Sequence, residues 1–171
     1  MTHANTHSPE LSLVFPVFDE AENLGPLLDL ALQTAASLAR DFEIILVDDG
    51  SQDGSSMVIE HWAKIDPRIV AIHHETNHGY GAALRSGLRR ASGELVFFSD
   101  AELQFDLAEI TKLLEHTGEF DIVAGVRSPR AAPWPRSALA VKLGCSSAPY
   151  KRGRAPVSRA RTSPVSYTHL R

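Results

Sequence analysis

A chain of 171 residues is long enough for one domain with a sizeable hydrophobic core and too short to predict two. The formal net charge of −4 hides a division, because residues 1–121 hold all 21 acidic residues, whereas residues 122–171 hold 10 of the 17 Lys and Arg residues and no acid. The single cysteine, Cys145, excludes an internal disulfide framework and a cysteine-based metal cluster and fits a reducing compartment.

The first ten residues, MTHANTHSPE, are polar and are expected to be disordered, and they lack the basic start and apolar segment of a secretory signal. No stretch of the chain approaches the ~20 apolar residues of a membrane-spanning helix. The sequence therefore predicts a soluble, cytoplasmic chain.

Apolar runs alternate with helical periods from residue 11 onwards. Leu11–Phe18 and Phe42–Val47 are nearly continuous apolar runs, which are typical of strands buried on both faces. Between them, apolar residues recur at three- and four-residue steps over Leu24–Leu38 and predict a helix. Asp19 and Glu22 have the spacing of a capping box, so we expect them to begin that helix.

The same alternation continues along the chain to residue 126, and it predicts βαβ units. The remaining predicted elements are a helix from Ser55 that stops before Asp66, a strand over Ile69–Ile72, a helix over Ala82–Ala91, a strand over Leu95–Ser99, a helix begun by Asp106 and Glu109, and a strand over Asp121–Val126. The predicted fold class is α/β, with a mostly parallel, Rossmann-like sheet and helices on both faces.

Polar residues follow several of the predicted strands, at the sheet edge where parallel sheets bind ligands. Asp100 and Glu102 alternate with one apolar residue after a strand, so in extended backbone both point to the same side. With the amide oxygen of Gln104 they form an all-oxygen set that suits Mg²⁺ or Mn²⁺. An isolated D-x-E pair is more often a turn cap beside a solvated Glu. The position at a strand end is what favours the metal.

Asp48 and Asp49 follow another predicted strand, in a turn composition that is common without any function. Because two adjacent carboxylates repel each other, we assign Asp49 to the ligand, as acceptor from a base N–H, and Asp48 to the turn or to support. The glycine-rich turn Asn77–Gly81 lacks a complete phosphate-binding motif, and its glycines are expected to serve packing. The scattered histidines, including His73-His74, receive no chemical role.

Five segments occur together in an order that is typical of one enzyme family. They are FPVFDEAENL (15–24), EIILVDDGSQDGS (43–55), NHGYGAALRSGLRRASGE (77–94), FFSDAELQ (97–104) and VAGVR (123–127). On these residues the chain resembles the family 2 glycosyltransferases, in the branch of the dolichyl-phosphate (polyprenyl-phosphate) mannosyltransferases and glucosyltransferases. The resemblance covers roughly Leu11–Arg127 and implies a GT-A fold, that is, a nucleotide-sugar domain with a divalent metal, Mg²⁺ or Mn²⁺.

The resemblance also implies roles for ten residues, of which Asp100 and Glu102 are the candidate catalytic pair. Pro16, Phe18 and Glu20 would line the nucleotide pocket, Val47 and Asp49 would hold the base, Asp100, Ala101, Glu102 and Gln104 would lie at the diphosphate and metal, and Arg127 would reach the phosphates. Three positions depart from the family pattern. Glu102 stands where the family usually has Asp, and Phe18 and Asp19 stand where it usually has Tyr and Asn.

The implied activity is metal-dependent, inverting transfer of a sugar from GDP-mannose or a UDP-sugar to an acceptor, with no nucleic-acid partner. The implied acceptor is a polyprenyl phosphate at the inner face of the membrane, which needs no strong general base because it is already an anion. One alternative is a truncated nucleotide-sugar-binding fragment without transferase activity. Another is a nucleotidyltransferase or other Rossmann-like binder, which would share the sheet but not the ordered motifs.

The C-terminal part of the chain departs from this pattern. In the family, acceptor-binding segments and often membrane helices follow the position of Arg127, and residues 128–145 are expected to represent their start. Residues 146–171 contain three prolines and no apolar period, so we expect a disordered basic tail. A frameshift, a truncation or a cloning scar would also produce so abrupt a break. The nucleotide-sugar domain is therefore assigned to residues 11–127.

Overall fold

A computed structural model describes residues 9–103, 106–127, 139–142 and 160–165. Its elements, in chain order, are β1 (Leu11–Val17), α1 (Ala21–Leu38), β2 (Phe42–Asp48), α2 (Ser55–Ile65), β3 (Ile69–His73), α3 (Tyr80–Arg90), β4 (Leu95–Phe98), a 3-10 turn (Leu107–Glu109), α4 (Ile110–Leu114), β5 (Ile122–Arg127), β6 (Leu139–Lys142) and β7 (Ala160–Val165). The predicted alternation of strands and helices over residues 11–127 is confirmed, with boundaries that differ by one or two residues.

The strands form one sheet in the order β3-β2-β1-β4-β6-β5-β7. β1 pairs parallel with β2 and with β4, and β2 pairs parallel with β3. These four strands bring the ends of β1, β2 and β4 to one edge of the sheet, where the sequence predicts a ligand. The predicted α/β class with a mostly parallel sheet is therefore confirmed.

Helices cover both faces of the sheet, which explains why β1 and β2 are buried along their whole length. On one face, α1, α2 and α4 pack with side chains such as Leu13, Phe15 and Leu46 in the larger core cluster. On the other face, α3 packs over a smaller cluster that includes Val14 and Val47. Gly87 of α3 permits this close approach, because a Cβ built on it would lie only 2.3 Å from Val14 Cγ1.

The C-terminal strands differ from the sequence-based expectation. β6 lies between β4 and β5 and runs antiparallel to both, whereas β5 was expected simply to continue the parallel series. β7 pairs parallel with β5, so the prediction of a disordered tail is wrong for Ala160–Val165. The reason is that an open strand edge offers unpaired N–H and C=O groups to any extended segment, whatever its side-chain pattern. The other residues of the predicted tail lie outside the described ranges.

A buried polar contact joins β1, β2 and the turn before β4. Ser12 Oγ donates to Glu43 Oε1 at 2.7 Å and accepts from the Gly93 N–H at 2.9 Å. Ser92 adds two donors to the same carboxylate oxygen, at 2.7 and 2.8 Å. These bonds let the sheet bury Ser12 completely and Glu43 almost completely without an unmet polar group.

Replacing Ser12 by alanine is expected to destabilise the domain by about 1–3 kcal/mol, because it leaves the buried Gly93 N–H without this acceptor and removes a donor from Glu43. Urea unfolding measures this loss. Ser37→Ala is the matched control, since Ser37 Oγ donates to Thr34 O on an exposed turn of α1. Equal losses for the two variants would contradict the importance of the buried contact.

Candidate functional site

A cavity of about 260 Å³ opens at the carboxyl ends of β1, β2 and β4. Seven of the ten residues assigned to the site by sequence line it: Pro16, Phe18, Glu20, Asp49, Asp100, Ala101 and Glu102. They come from the end of β1 and from the loops after β1, β2 and β4, and they meet because these parallel strands are neighbours in the sheet.

The other three assigned residues, Val47, Gln104 and Arg127, are not among the described residues that line the cavity. Val47 is fully buried in the cluster beneath α3, so any contact with a ligand would have to come from its main chain. Arg127 is the last residue of β5, and its side chain lies outside what the structure describes. Gln104 also lies outside the described residues, so its role as a metal ligand stays a prediction.

Four lining residues were not predicted from the sequence: Val17, Asn77, Tyr80 and Ala83. Three of them belong to the turn after β3 or to α3, where only a packing role was expected for the glycines. The position of this turn in the chain could have predicted its place at the cavity, because it follows the end of β3 in the same parallel sheet. α3 then brings the turn to the cavity by packing against β1 and β2.

The loops after β1 and β2 are joined by hydrogen bonds across the edge of the sheet. The N–H groups of Asp19, Glu20 and Ala21 donate to Ser51 Oγ, Ser55 Oγ and Asp53 Oδ2, at 3.0, 3.0 and 2.9 Å. In return, the Gln52 N–H donates to Asp19 Oδ1 at 2.7 Å. This set of bonds holds Phe18 and Glu20 at the cavity wall.

The same contacts correct the predicted start of α1. Asp19 has φ of 53° and turns its carboxylate toward the other loop, so the capping box with Glu22 does not form. Glu20 occupies the cap position, but its side chain accepts from Asn23 Nδ2 and makes no capping bond to a backbone N–H of the helix. The prediction failed because its donors were sought within α1, whereas Asp53 accepts from the first N–H of the helix. By contrast, Asp106 does accept from the Ala108 N–H and begins the 3-10 turn, whereas the Glu109 side chain predicted to pair with it bonds Lys112 instead.

Asp49 is 3% exposed and accepts three hydrogen bonds. His74 Nδ1 lies 2.6 Å and the His78 N–H 3.0 Å from Oδ1, while the Gly79 N–H lies 2.7 Å from Oδ2. Burial alone would raise the pKa of this carboxyl, but the bonds from His74, His78 and Gly79 outweigh it and hold the pKa below its usual range. Asp49 is therefore an anion at the cavity wall at neutral pH.

Asp48 is not among the residues that line the cavity, and it serves the turn, as expected. Oδ1 accepts from the Ser51 N–H at 3.0 Å, and Oδ2 accepts from Ser56 Oγ and lies 3.2 Å from His73 Nδ1. His73 and His74, for which the sequence predicted no role, thus each contact one of the two aspartates. The signal was a pair of acids and a pair of histidines at the ends of β2 and β3, which are neighbouring strands.

The lowered pKa values of Asp48 and Asp49 predict that the protein loses stability in acid. Burial raises the pKa of Asp48, but hydrogen bonds from Ser51, Ser56 and His73 lower it by more, so the pKa lies below its usual value. The pKa of Asp49 is lowered in the same way. A carboxyl whose folded pKa lies below the unfolded value of about 3.9 stabilises the fold above that pH, and this contribution is lost as pH falls through the folded pKa. We therefore expect the free energy of unfolding to fall below about pH 4, and to fall less steeply in Asp48→Asn.

Urea titrations at several values between about pH 3 and about pH 6 measure this slope. Asp66→Asn is the comparison variant, because Asp66 pairs with the exposed Arg68 at the surface and is expected to contribute little. A slope that is the same in the wild type and in Asp48→Asn would contradict the assignment.

The loop after β4 brings Asp100 and Glu102 to the same cavity as Asp49. Tyr80, the first residue of α3, hydrogen-bonds the Asp100 side chain; burial, the Asp100 charge and this bond together raise the pKa of the Tyr80 hydroxyl well above its usual value. The hydroxyl therefore stays protonated and donates to the carboxylate. Leu103, directly after Glu102, has a positive φ of 54°.

The ligand set fits a hard divalent cation that shares its coordination with a substrate. Asp100 and Glu102 offer only oxygen donors, and Mg²⁺ is usually held by one or two carboxylates together with waters and substrate phosphates. Among the residues that the structure describes, no three His, Cys, Asp or Glu side chains form a group that could hold an ion. Two carboxylates facing a cavity match the arrangement in which a substrate supplies the remaining ligands.

Over the same described ranges, no helix is long and apolar enough to cross a membrane.

The family of the chain follows from a comparison with protein-family models. The model described as glycosyl transferase family 2 matches residues 12–157, which is most of the chain. The chain belongs to glycosyl transferase family 2. The family expected from the ordered motifs is thereby confirmed, and the match continues beyond Arg127 through β6.

The curated relatives of this family 2 chain include transferases with undecaprenyl phosphate in their names. It is 37% identical over 129 residues to the undecaprenyl-phosphate 4-deoxy-4-formamido-L-arabinose transferase of Proteus mirabilis, a match that covers 74% of the chain and 40% of the relative. It is 39% identical over 122 residues to the protein of the same name in Pseudomonas fluorescens, covering 70% and 36%. The chain thus spans about 40% of the length of these relatives.

Solved structures of the same fold include two with bound nucleotides. The mannosyltransferase PcManGT from Pyrobaculum calidifontis, in complex with GDP-Man and Mn²⁺, aligns with a TM-score of 0.65 at 22% identity, covering 80% of this chain and 45% of that one. S. aureus TarS 1-349 in complex with UDP aligns with a TM-score of 0.58 at 21% identity, covering 73% and 38%. These likenesses confirm the predicted GT-A-like fold of the family 2 chain.

Proposed function

We propose that this chain carries the donor site of a metal-dependent, inverting glycosyltransferase that moves a sugar from a nucleotide sugar to a polyprenyl phosphate. The observation that carries the proposal is the shared cavity. A buried, ionised Asp49 from the end of β2 and the carboxylate pair Asp100 and Glu102 from the end of β4 line the same space. One side thus offers an acceptor for a base N–H, and the other offers oxygen ligands for a cation.

In this proposal the donor spans the cavity between β2 and β4. Asp49 accepts a hydrogen bond from the nucleobase, while Phe18 and Glu20 form the wall of the nucleotide pocket on the joined loops. Asp100 and Glu102 would hold Mg²⁺ or Mn²⁺, with Gln104 and Arg127 as further predicted contacts to the metal and the phosphates. When bound, the metal would act as a Lewis acid that offsets the charge on the departing nucleoside diphosphate.

The protein's other contribution to the transfer is to bind and orient the two substrates. The resemblance implies a single in-line displacement, for which the donor must be held with its anomeric carbon open to the acceptor. A phosphate nucleophile is already ionised at neutral pH, so the site needs no strong general base. Support for this acceptor comes from the undecaprenyl phosphate in the names of the curated relatives.

Calorimetry with UDP and GDP, each in the presence and absence of Mn²⁺, tests the donor site. We expect one of the two nucleotides to bind, with an affinity at least about tenfold higher when Mn²⁺ is present. If neither nucleotide binds in either condition, the proposed function is wrong. If binding is unaffected by Mn²⁺, the metal must be removed from the proposal.

A second candidate function is nucleotide-sugar binding without transfer. It is favoured by one fact, namely that the chain spans about 40% of the length of its curated relatives. Transfer of radiolabelled sugar to undecaprenyl phosphate in detergent, with Mn²⁺ present, separates the two. Transfer supports the glycosyltransferase, whereas donor binding without transfer or donor hydrolysis supports the binding fragment.

A further inference from the structure

Two aspartate–histidine pairs lie side by side where β2 and β3 end. Asp48 and His73 are direct partners in the parallel register, and the chain continues from each strand into the second pair. His73 contacts Asp48 at 3.2 Å, and His74 contacts Asp49 at 2.6 Å. The pairs have similar chemistry but different surroundings, because Asp49 lines the cavity of the candidate site and Asp48 does not.

The His74 ring is fixed at both nitrogens. Nδ1 lies 2.6 Å from Asp49 Oδ1, and Nε2 lies 2.9 Å from Ser86 Oγ on α3. Its side chain is only 15% exposed, and its ring packs edge-to-face against His78 with centroids 5.4 Å apart. A neutral ring that carries its proton on Nδ1 satisfies both contacts, donating to Asp49 and accepting from the Ser86 hydroxyl.

The two carboxylate oxygens of Asp49 accept different numbers of hydrogen bonds. Oδ1 accepts from His74 and from the His78 N–H, which uses both of its lone pairs. Oδ2 accepts only from the Gly79 N–H among the described contacts, so one acceptor position is left on that oxygen. Without His74, the carboxylate would keep one backbone bond on each oxygen, and two hydrogen bonds instead of three would hold it.

We propose that His74 is the positioning residue for Asp49: it saturates Oδ1 and fixes the carboxylate so that Oδ2 is the oxygen presented to a nucleobase N–H. The proposal rests on the proposed function, in which Asp49 receives the base of the donor. His74 itself does not line the cavity, so it acts on the ligand through Asp49. The His73 and Asp48 pair is the internal comparison, since it stabilises a turn and faces no part of that cavity.

The test compares His74→Ala, His74→Asn and His73→Ala by calorimetry with UDP and GDP in Mn²⁺, using the full chain. His74→Ala is expected to weaken binding of the preferred nucleotide about tenfold. The amide nitrogen of Asn can take the place of Nδ1, so His74→Asn is expected to keep affinity within about threefold of the wild type. His73→Ala is expected to lower Tm but to keep affinity within about twofold.

Hydrogen exchange of the His78 and Gly79 amides provides a readout that needs no ligand, because both N–H groups donate to Asp49. Exchange is expected to rise in His74→Ala and to stay near the wild-type rate in His74→Asn and His73→Ala. If His74→Ala fails to fold, Ser86→Ala releases the other end of the ring and is expected to weaken binding in the same direction.

The inference is overturned if His74→Ala and His73→Ala weaken binding equally, since His74 would then be only a structural residue. It is also overturned if His74→Asn is as weak as His74→Ala, or if amide exchange is unchanged in His74→Ala. If the wild-type chain binds neither nucleotide, the proposed function fails, and the exchange rates alone decide whether His74 holds Asp49.

Discussion

Replacing Asp100 by asparagine is expected to weaken Mn²⁺-dependent binding of UDP or GDP at least about tenfold, because it removes one of two charged ligands from a hard cation. The amide oxygen of the new side chain could still accept the hydrogen bond from Tyr80, so the loop after β4 is expected to keep its conformation. Calorimetry with and without Mn²⁺ measures the effect. The affinity in the absence of metal is expected to change much less.

Two further variants serve as controls for the effect of Asp100→Asn. Asp29→Asn removes an exposed carboxylate from α1, far from the cavity lining, and is expected to leave binding unchanged. Glu102→Asp introduces the residue that the family usually has and is expected to retain metal-dependent binding. Unchanged metal dependence in the Asp100 variant would remove this carboxylate from the metal site.

Replacing Gly50 by alanine is expected to cost roughly 2–5 kcal/mol of stability, the sum of backbone strain and a steric clash. Gly50 has φ of 76°, and a Cβ there would lie 2.6 Å from the Thr76 carbonyl carbon and 2.7 Å from the Asn77 nitrogen. Because these are main-chain atoms, they cannot move aside as a flexible side chain would. Each kcal/mol lowers Tm by about 2–4 °C in a domain of this size.

Gly54→Ala separates the two contributions. Gly54 also has a positive φ, of 99°, but the nearest atom to its Cβ would be Met57 Cε at 3.6 Å, so only the strain of about 1–2 kcal/mol applies. The alanine at position 50 is expected to weaken nucleotide binding as well, since the displaced Asn77 lines the cavity. Similar Tm losses in the two variants would show that the loop around Asn77 accommodates the extra carbon.

The sheet edge and most of the cavity could be predicted from the sequence because both depend on local patterns. Strands buried on both faces read as continuous apolar runs, and the polar residues that end them identify the ligand edge. For this reason Asp49, Asp100 and Glu102 could be placed at one edge from their positions in the chain. The ordered motifs added Pro16 and Phe18, which apolar patterning alone would not separate from the strand.

The misses involve contacts between parts of the chain that are distant in sequence. Asp19 was assigned to α1 by spacing, but its partner is the Gln52 N–H on another loop. Tyr80 was missed because its contact with Asp100 depends on how α3 lies on the sheet. β6 and β7 were missed because antiparallel insertion and edge pairing are main-chain interactions that leave little trace in side-chain periodicity.

The place of β6 in the sheet has a consequence for how the protein is made. β5 reaches β4 only through β6, which is later in the chain, so residues 122–127 cannot join the sheet until residues 139–142 are present. During translation, β1 to β4 can pair as soon as they leave the ribosome, while the edge of β4 remains open to other chains. Chain growth through β6 therefore closes an aggregation-prone edge and, in the same step, brings Arg127 at the end of β5 into the sheet.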